Sequence, residues 1–121
     1  MLHSRLVRRA LAACCLPLLA LVPHAAQFSW PGTYHLIATG FPEGTREAVM
    51  QFTRHDSLFD VTAISGPPGA ALLVRVVDDS AHILWDLDGA TMVVELHGRG
   101  DSLTGHWYIE DRGGPILGKR R

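Results

Sequence analysis

The chain has 121 residues, 47% hydrophobic and 19% charged, with a formal net charge of −1 at pH 7. That length provides for one domain and one core. The only basic cluster, Lys119-Arg120-Arg121, sits at the extreme end, so no nucleic-acid partner is expected.

Arg5, Arg8 and Arg9 precede an apolar run over residues 10–22, which contains Pro17 and ends at Pro23-His24-Ala25-Ala26. A basic start, thirteen mostly apolar residues and small residues at the end form the layout of a secretory leader. A membrane span would need about 20 residues, and Pro17 interrupts the buried or membrane helix that is the other reading of this run. Residues 1–26 are therefore expected to be a leader, and 27–121 an exported domain, periplasmic or extracellular, without a membrane span. Cys14 and Cys15 both lie in the leader, so the exported chain would hold no disulfide, thiol nucleophile or cysteine metal ligand. Leu11-Ala12-Ala13-Cys14 resembles the recognition box of bacterial lipoproteins, but only four residues separate Arg9 from Cys14 and the apolar run continues past it. That spacing argues against a lipid anchor on Cys14, which stays the alternative. Loss of the leader's three arginines leaves eight basic and twelve acidic residues, about −4 at neutral pH.

From Gly32 onward apolar residues recur at every second position between turn-forming Gly, Pro, Asp and Ser, the period of a β-strand. Residues 32–39 put Tyr34, Leu36 and Ala38 on one face, 46–55 align Ala48, Met50 and Phe52, and 57–65 align Phe59, Val61 and Ala63. Gly66-Pro67-Pro68-Gly69 stops the third segment. Residues 71–77 offer Leu72, Val74 and Val76. Asp78-Asp79-Ser80 then turns into a segment offering Ile83, Trp85 and Leu87, and Asp88-Gly89 makes a hairpin turn. Met92, Val94 and Leu96 mark the sixth strand, Leu103, Gly105, Trp107 and Ile109 the seventh, and an eighth is expected around Ile116. Short links favour an all-β antiparallel meander of about eight strands that closes into a small up-and-down barrel, joining first strand to last. A β-sandwich is the competing arrangement.

The same phase sends His35, His55, His82, His97 and His106 to the outer face, with Asp60, Asp86, Asp88 and Glu95. Histidines scattered over a wet face are seldom ligands, so no metal and no cofactor is expected, although His97 and His106 fall on adjacent strands. No desolvated carboxylate and no strained nucleophile context stands out, so no catalytic residue is assigned. Gly66-Pro67-Pro68-Gly69 and Gly98-Arg99-Gly100 lie between strands and read as turns, not phosphate cradles. Arg99-Gly100-Asp101 matches the tripeptide read by animal adhesion receptors, yet a turn selects the same residues. The inward set is almost wholly apolar, and a barrel of eight strands is just wide enough to be filled by side chains or to hold one small ligand. Filling is the expectation. Any ligand would be a compact apolar molecule, with Tyr34, Phe59, Trp85 and Trp107 as candidate walls. Val49, Leu58, Ile64, Leu73, Val77, Leu84, Val93, Tyr108 and Leu117 also face outward, and those on the third to fifth strands would, if gathered into one patch, point to a homodimer or a protein partner.

Trp30-Pro31-Gly32-Thr33-Tyr34 followed by seven strands resembles the lipocalin and fatty-acid-binding barrels, whose first strand opens with Gly-x-Trp. Here Tyr34 holds the aromatic position, and a literal Gly105-His106-Trp107 stands in the seventh strand, where avidin barrels also carry tryptophan. The resemblance implies that Arg120 or Arg121 packs over the first-strand aromatic, and that the protein is an exported ligand-binding or interaction module. The chain is shorter than a lipocalin, which implies a smaller interior. The stretch from Gly100 to Trp107 also resembles turn-and-strand units of bacterial envelope proteins. Three functions compete: a non-catalytic module holding an apolar ligand or a protein partner, a structural envelope protein acting through its outer apolar face, and a small hydrolase or isomerase with a site at the barrel mouth.

Overall fold

A computed structural model of the protein describes residues 27–121; residues 1–26, the expected leader with Cys14 and Cys15, lie outside the described residues. Eight strands follow one another: β1 (Gly32–Phe41), β2 (Gly44–His55), β3 (Leu58–Ser65), β4 (Ala70–Val77), β5 (Ser80–Asp86), β6 (Thr91–Arg99), β7 (Ser102–Ile109) and β8 (Arg112–Arg120). All neighbours are antiparallel and the sheet order is β3-β2-β1-β8-β7-β6-β5-β4. The meander thus closes through its termini, with Leu36 opposite Gly118 and Ala38 opposite Ile116 across β1 and β8. Among the described residues no helix is long and apolar enough to cross a membrane.

Five of the seven connections are two residues long, which leaves consecutive strands no choice but to pair. The chemistry of the turns fits. Asp56, Asp78, Asp88 and Glu110 take positive φ, as do Gly89 and Gly100, and Asp tolerates that conformation better than most residues. The longer connections, residues 66–69 and 87–90, lie at one end of the barrel.

Closure is incomplete at one seam. β3 and β4 form no ladder with each other and are the two edges of the sheet. Each edge is bulged: Val49 pairs with Ser65 while Met50 pairs with Ala63, leaving Ile64 extra in β3, and Ala71 pairs with Trp85 while Leu73 pairs with Leu84, leaving Leu72 extra in β4. A bulge twists an edge and blunts it as a template for further pairing. It also corrects the expected phase of β4. Leu72 was expected inside and is 62% exposed, because the extra residue turns it out while Val74 and Val76 keep packing against the core.

Elsewhere period two holds, with Tyr34, Leu36, Met50, Phe52, Ile83, Trp85, Val94, Leu96, Leu103, Trp107 and Ile116 all buried. Outside, Leu73, Leu84, Val93 and Tyr108 stand opposite one another on β4 to β7 and make a continuous apolar row.

One end of the barrel is sealed by residues 27–31, which lie outside any strand. The Phe28 ring meets Trp30 edge-on at 4.7 Å, and Trp30 and Tyr34 each pack on Phe52, at 5.2 and 5.5 Å. The β4–β5 turn holds the segment in place: the Phe28 amide donates to Asp79 Oδ1 (2.8 Å) and Trp30 Nε1 to the Asp78 carbonyl (2.9 Å). Gly98 leaves room for the Phe28 ring, which a Cβ there would strike. The guanidinium of Arg120, on β8, lies 4.9 Å from the Tyr34 ring centre and 5.1 Å from that of Phe28, and donates to the carbonyls of Ser29 (2.6 Å) and Pro31 (3.1 Å). This is the arginine-over-aromatic contact that the resemblance implied, made by Arg120.

Gly98→Ala should displace the Phe28 ring and cost about 1–3 kcal/mol in urea unfolding. Arg120→Ala should cost about 2 kcal/mol, with Arg120→Lys restoring less than half, since an ammonium cannot hold two carbonyls and two rings in one fork. Equal stability of the Lys and Arg forms would show that charge alone acts there.

Candidate functional site

Above the aromatic floor the interior is hollow. A cavity of about 430 Å³ runs from Phe52, Leu36 and Leu96 to the opposite end of the barrel, within the range of about 300–1,000 Å³ typical of small-molecule sites. The expected filling therefore occurs only at the sealed end, where Phe28, Trp30, Tyr34 and Phe52 crowd together. Higher up, the small side chains Ala38 and Ala48 form part of the wall.

The wall is otherwise Met50, Val61, Ile83, Trp85, Met92, Val94, Trp107 and Ile116. Its only polar handles along this stretch are the two indoles, and both are spent on backbone. Trp107 Nε1 donates to the Thr39 carbonyl (2.7 Å) and Trp85 Nε1 to the Pro68 carbonyl (2.9 Å). The latter bond ties the β3–β4 loop to β5. A guest in the hollow consequently meets no unused donor from either tryptophan, and its enclosed portion must be apolar.

The mouth is framed by the β1–β2, β3–β4, β5–β6 and β7–β8 connections. Phe41 stacks on Trp107 with ring centres 3.9 Å apart and planes 3° from parallel, and Arg46 lies over Phe41 at 5.7 Å. Glu43, Arg46, Glu47 and Arg112 complete the rim. Arg46 Nη2 is 3.2 Å from Glu43 Oε2. The backbone amide of Glu43 and then Arg46 hold its carboxyl below the usual carboxylate range. At the sealed end burial pushes the Tyr34 phenol up, opposed by Arg120; its hydroxyl donates to the Trp30 carbonyl at 2.8 Å.

Of the four residues expected to wall a ligand, Trp85 and Trp107 line this cavity and are each 1% exposed. Tyr34 does not reach it; it belongs to the packed floor. Phe59 lies in the groove along the β3–β4 seam with Val61, Ala63, Leu72 and Val74, under Arg54 at 5.8 Å. Val61 and Trp85 border both groove and cavity. The sequence reading missed Phe41 and Phe28. Both sit next to the strand pattern rather than in its inward phase, and their alternation carries no signal.

The histidines stand on the outer face as expected. His82 Nδ1 is 3.6 Å from Glu95 Oε1, and His97 Nδ1 shares a hydrogen bond with Ser80 Oγ at 3.0 Å. Among the described residues no three His, Cys, Asp or Glu side chains are placed to share a metal ion. Arg99-Gly100-Asp101 does occupy a hairpin tip, but Asp101 is tied to β8: its carbonyl accepts the Arg120 amide at 2.8 Å.

No family model matches the chain, and no curated protein matches it. Among solved structures the chain is similar to secretory abundant heat soluble protein 4 from Ramazzottius varieornatus, with a TM-score of 0.48 and 10% identity, over 79% of this chain and 99% of that one. The lipocalin resemblance thus rests on the residues of β1, β7 and β8 alone.

Trp107→Phe keeps an aromatic ring against Phe41 and removes the bond to Thr39. It should cost about 1–2 kcal/mol by orphaning that carbonyl, with thermal unfolding as the check; an unchanged midpoint would mean that the bond is replaced by water.

Proposed function

We propose that this chain is an exported, non-catalytic binding module that holds a small apolar ligand inside its barrel. The observation that carries this reading is the hollow of about 430 Å³ whose wall is aliphatic and aromatic and whose tryptophan N–H groups are already bonded. Burying such a wall against a guest releases about 25 cal/mol for each Å² of apolar surface removed from water, and nothing in the wall would hold a polar reactant in register. Chemistry at the mouth, the competing enzyme reading, would have to use rim groups that are open to water.

A second reading, self-association or attachment to a protein partner through the outer surface, is favoured by the apolar row Leu73, Leu84, Val93 and Tyr108. The two readings are compatible, because the row and the hollow lie on opposite faces of the same strands.

The uncharged dye N-phenyl-1-naphthylamine tests the first. It should bind one per chain with tryptophan-sensitised emission, and Val94→Phe, which fills the hollow from β6, should weaken binding at least about tenfold, the equivalent of about 1.4 kcal/mol. Dye emission that is absent, or that persists unaltered in Val94→Phe, would contradict the interior site.

A further inference from the structure

We infer that a guest enters and leaves the hollow through the seam between β3 and β4 rather than through the mouth, with the hydrogen bond from Trp85 to the Pro68 carbonyl as the latch; the inference rests on the binding reading above. Every other pair of neighbouring strands around the barrel is joined by a ladder, so widening it elsewhere breaks backbone hydrogen bonds. Widening the seam breaks none between β3 and β4. Among the described residues β4 is the one strand without a buried side chain, and β3 contributes only Val61 to the buried core. Segments with few buried apolar contacts are the first to open locally, at a free energy well below that of global unfolding.

The same two strands supply a path. Outside the seam runs a groove of about 360 Å³ that includes the small side chains Ala63 and Ala71 with Phe59 and Val74, and Val61 and Trp85 border this groove and the cavity alike. Asp60 also lines the groove, where its carboxylate is paired with His55 at 3.3 Å. By the mouth, an apolar guest has to pass Glu43, Arg46, Glu47 and Arg112, with Arg46 held over the Phe41–Trp107 stack. The loop that joins the two lips, residues 66–69, is seated rather than free: Gly66 and Gly69, both at positive φ, lie where a Cβ would strike Ala48 of β2 and the Asp86 carbonyl of β5. The side-chain hydrogen bond that reaches this loop among the described residues is the one from Trp85 Nε1 to the Pro68 carbonyl, at 2.9 Å. Trp85 therefore walls the cavity and fastens the loop between the lips at once.

The exchange kinetics of N-phenyl-1-naphthylamine, excited directly, test the route. A constraint on the path changes association and dissociation by one factor and leaves affinity alone, whereas a change in the wall acts chiefly on dissociation. Thr62 and Leu72 are exposed and line the groove from opposite lips, and residues 27–121 hold no cysteine of their own. In Thr62→Cys, Leu72→Cys a short bismaleimide should pin the lips and slow both rates about tenfold or more, with the dissociation constant within about twofold of that of the unlinked variant. Dye loaded before the link is made should stay inside, its release slowed by the same factor. Trp85→Phe keeps a ring in the wall but loses the latch N–H, and should speed association about threefold or more. In the unaltered chain, amide hydrogen exchange should be faster in β4 than in β6 and β7, and slowed there by the dye. Equal rates in linked and unlinked forms, or protection of β4 equal to that of β6 and β7, would overturn the seam route while leaving the apolar cavity standing. Dye expelled by the link, or an affinity altered through dissociation alone, would place the lips in the wall and overturn it as well. A dye that never binds the unaltered chain would remove the binding reading and this inference with it.

Discussion

The structure depends on sealing the barrel at one end only. An eight-stranded antiparallel cylinder is about as wide as the side chains that can fill it, so the size of the inward residues at each level decides whether that level is solid or hollow. At the sealed end this chain spends four aromatic residues, Phe28, Trp30, Tyr34 and Phe52, under the Arg120 guanidinium. Two of them come from a segment that is not a strand. At the other end it spends Ala38 and Ala48. The floor supplies packing energy that a hollow interior forgoes, and the termini are locked at that floor because β1 and β8 pair there and Arg120 bridges both.

The open end inherits its character from the same asymmetry. The small side chains Ala38 and Ala48 leave space, the indoles of Trp85 and Trp107 direct their N–H groups into backbone rather than into that space, and Glu43, Arg46, Glu47 and Arg112 stand at the mouth. Each property follows from a different local cause, yet together they define a pocket that is apolar in its depth and charged at its rim. The β3–β4 seam adds a weak line along one side, where no ladder crosses and Val61 and Trp85 border both groove and cavity.

Much of the strand pattern is legible in the sequence because alternation is a local property: Leu36, Met50, Phe52, Ile83, Trp85, Val94, Leu96 and Trp107 can be placed inside from their spacing alone. Leu72 cannot, since its outward turn is produced by a bulge that exists only relative to β5. Phe28 is invisible for a related reason. Its burial needs Asp79 and Gly98, both far away in sequence. The hollow is the least legible feature, because a volume is a sum over side chains from all around the barrel. One signal was nonetheless available: turns alternate between ends, so the aromatic residues near Tyr34 and the acids near Glu43 and Asp111 could have been assigned to opposite ends from the strand count.

The central claim is an apolar void above a packed floor, and xenon tests it most directly, because a dry apolar cavity takes up this gas without any other ligand. Crystals of the protein under xenon pressure should show the atom inside the barrel, in contact with Trp85 and Trp107 and above Phe52. An interior in which rearranged side chains leave no room, with xenon found only on the outer face or not at all, would contradict the account.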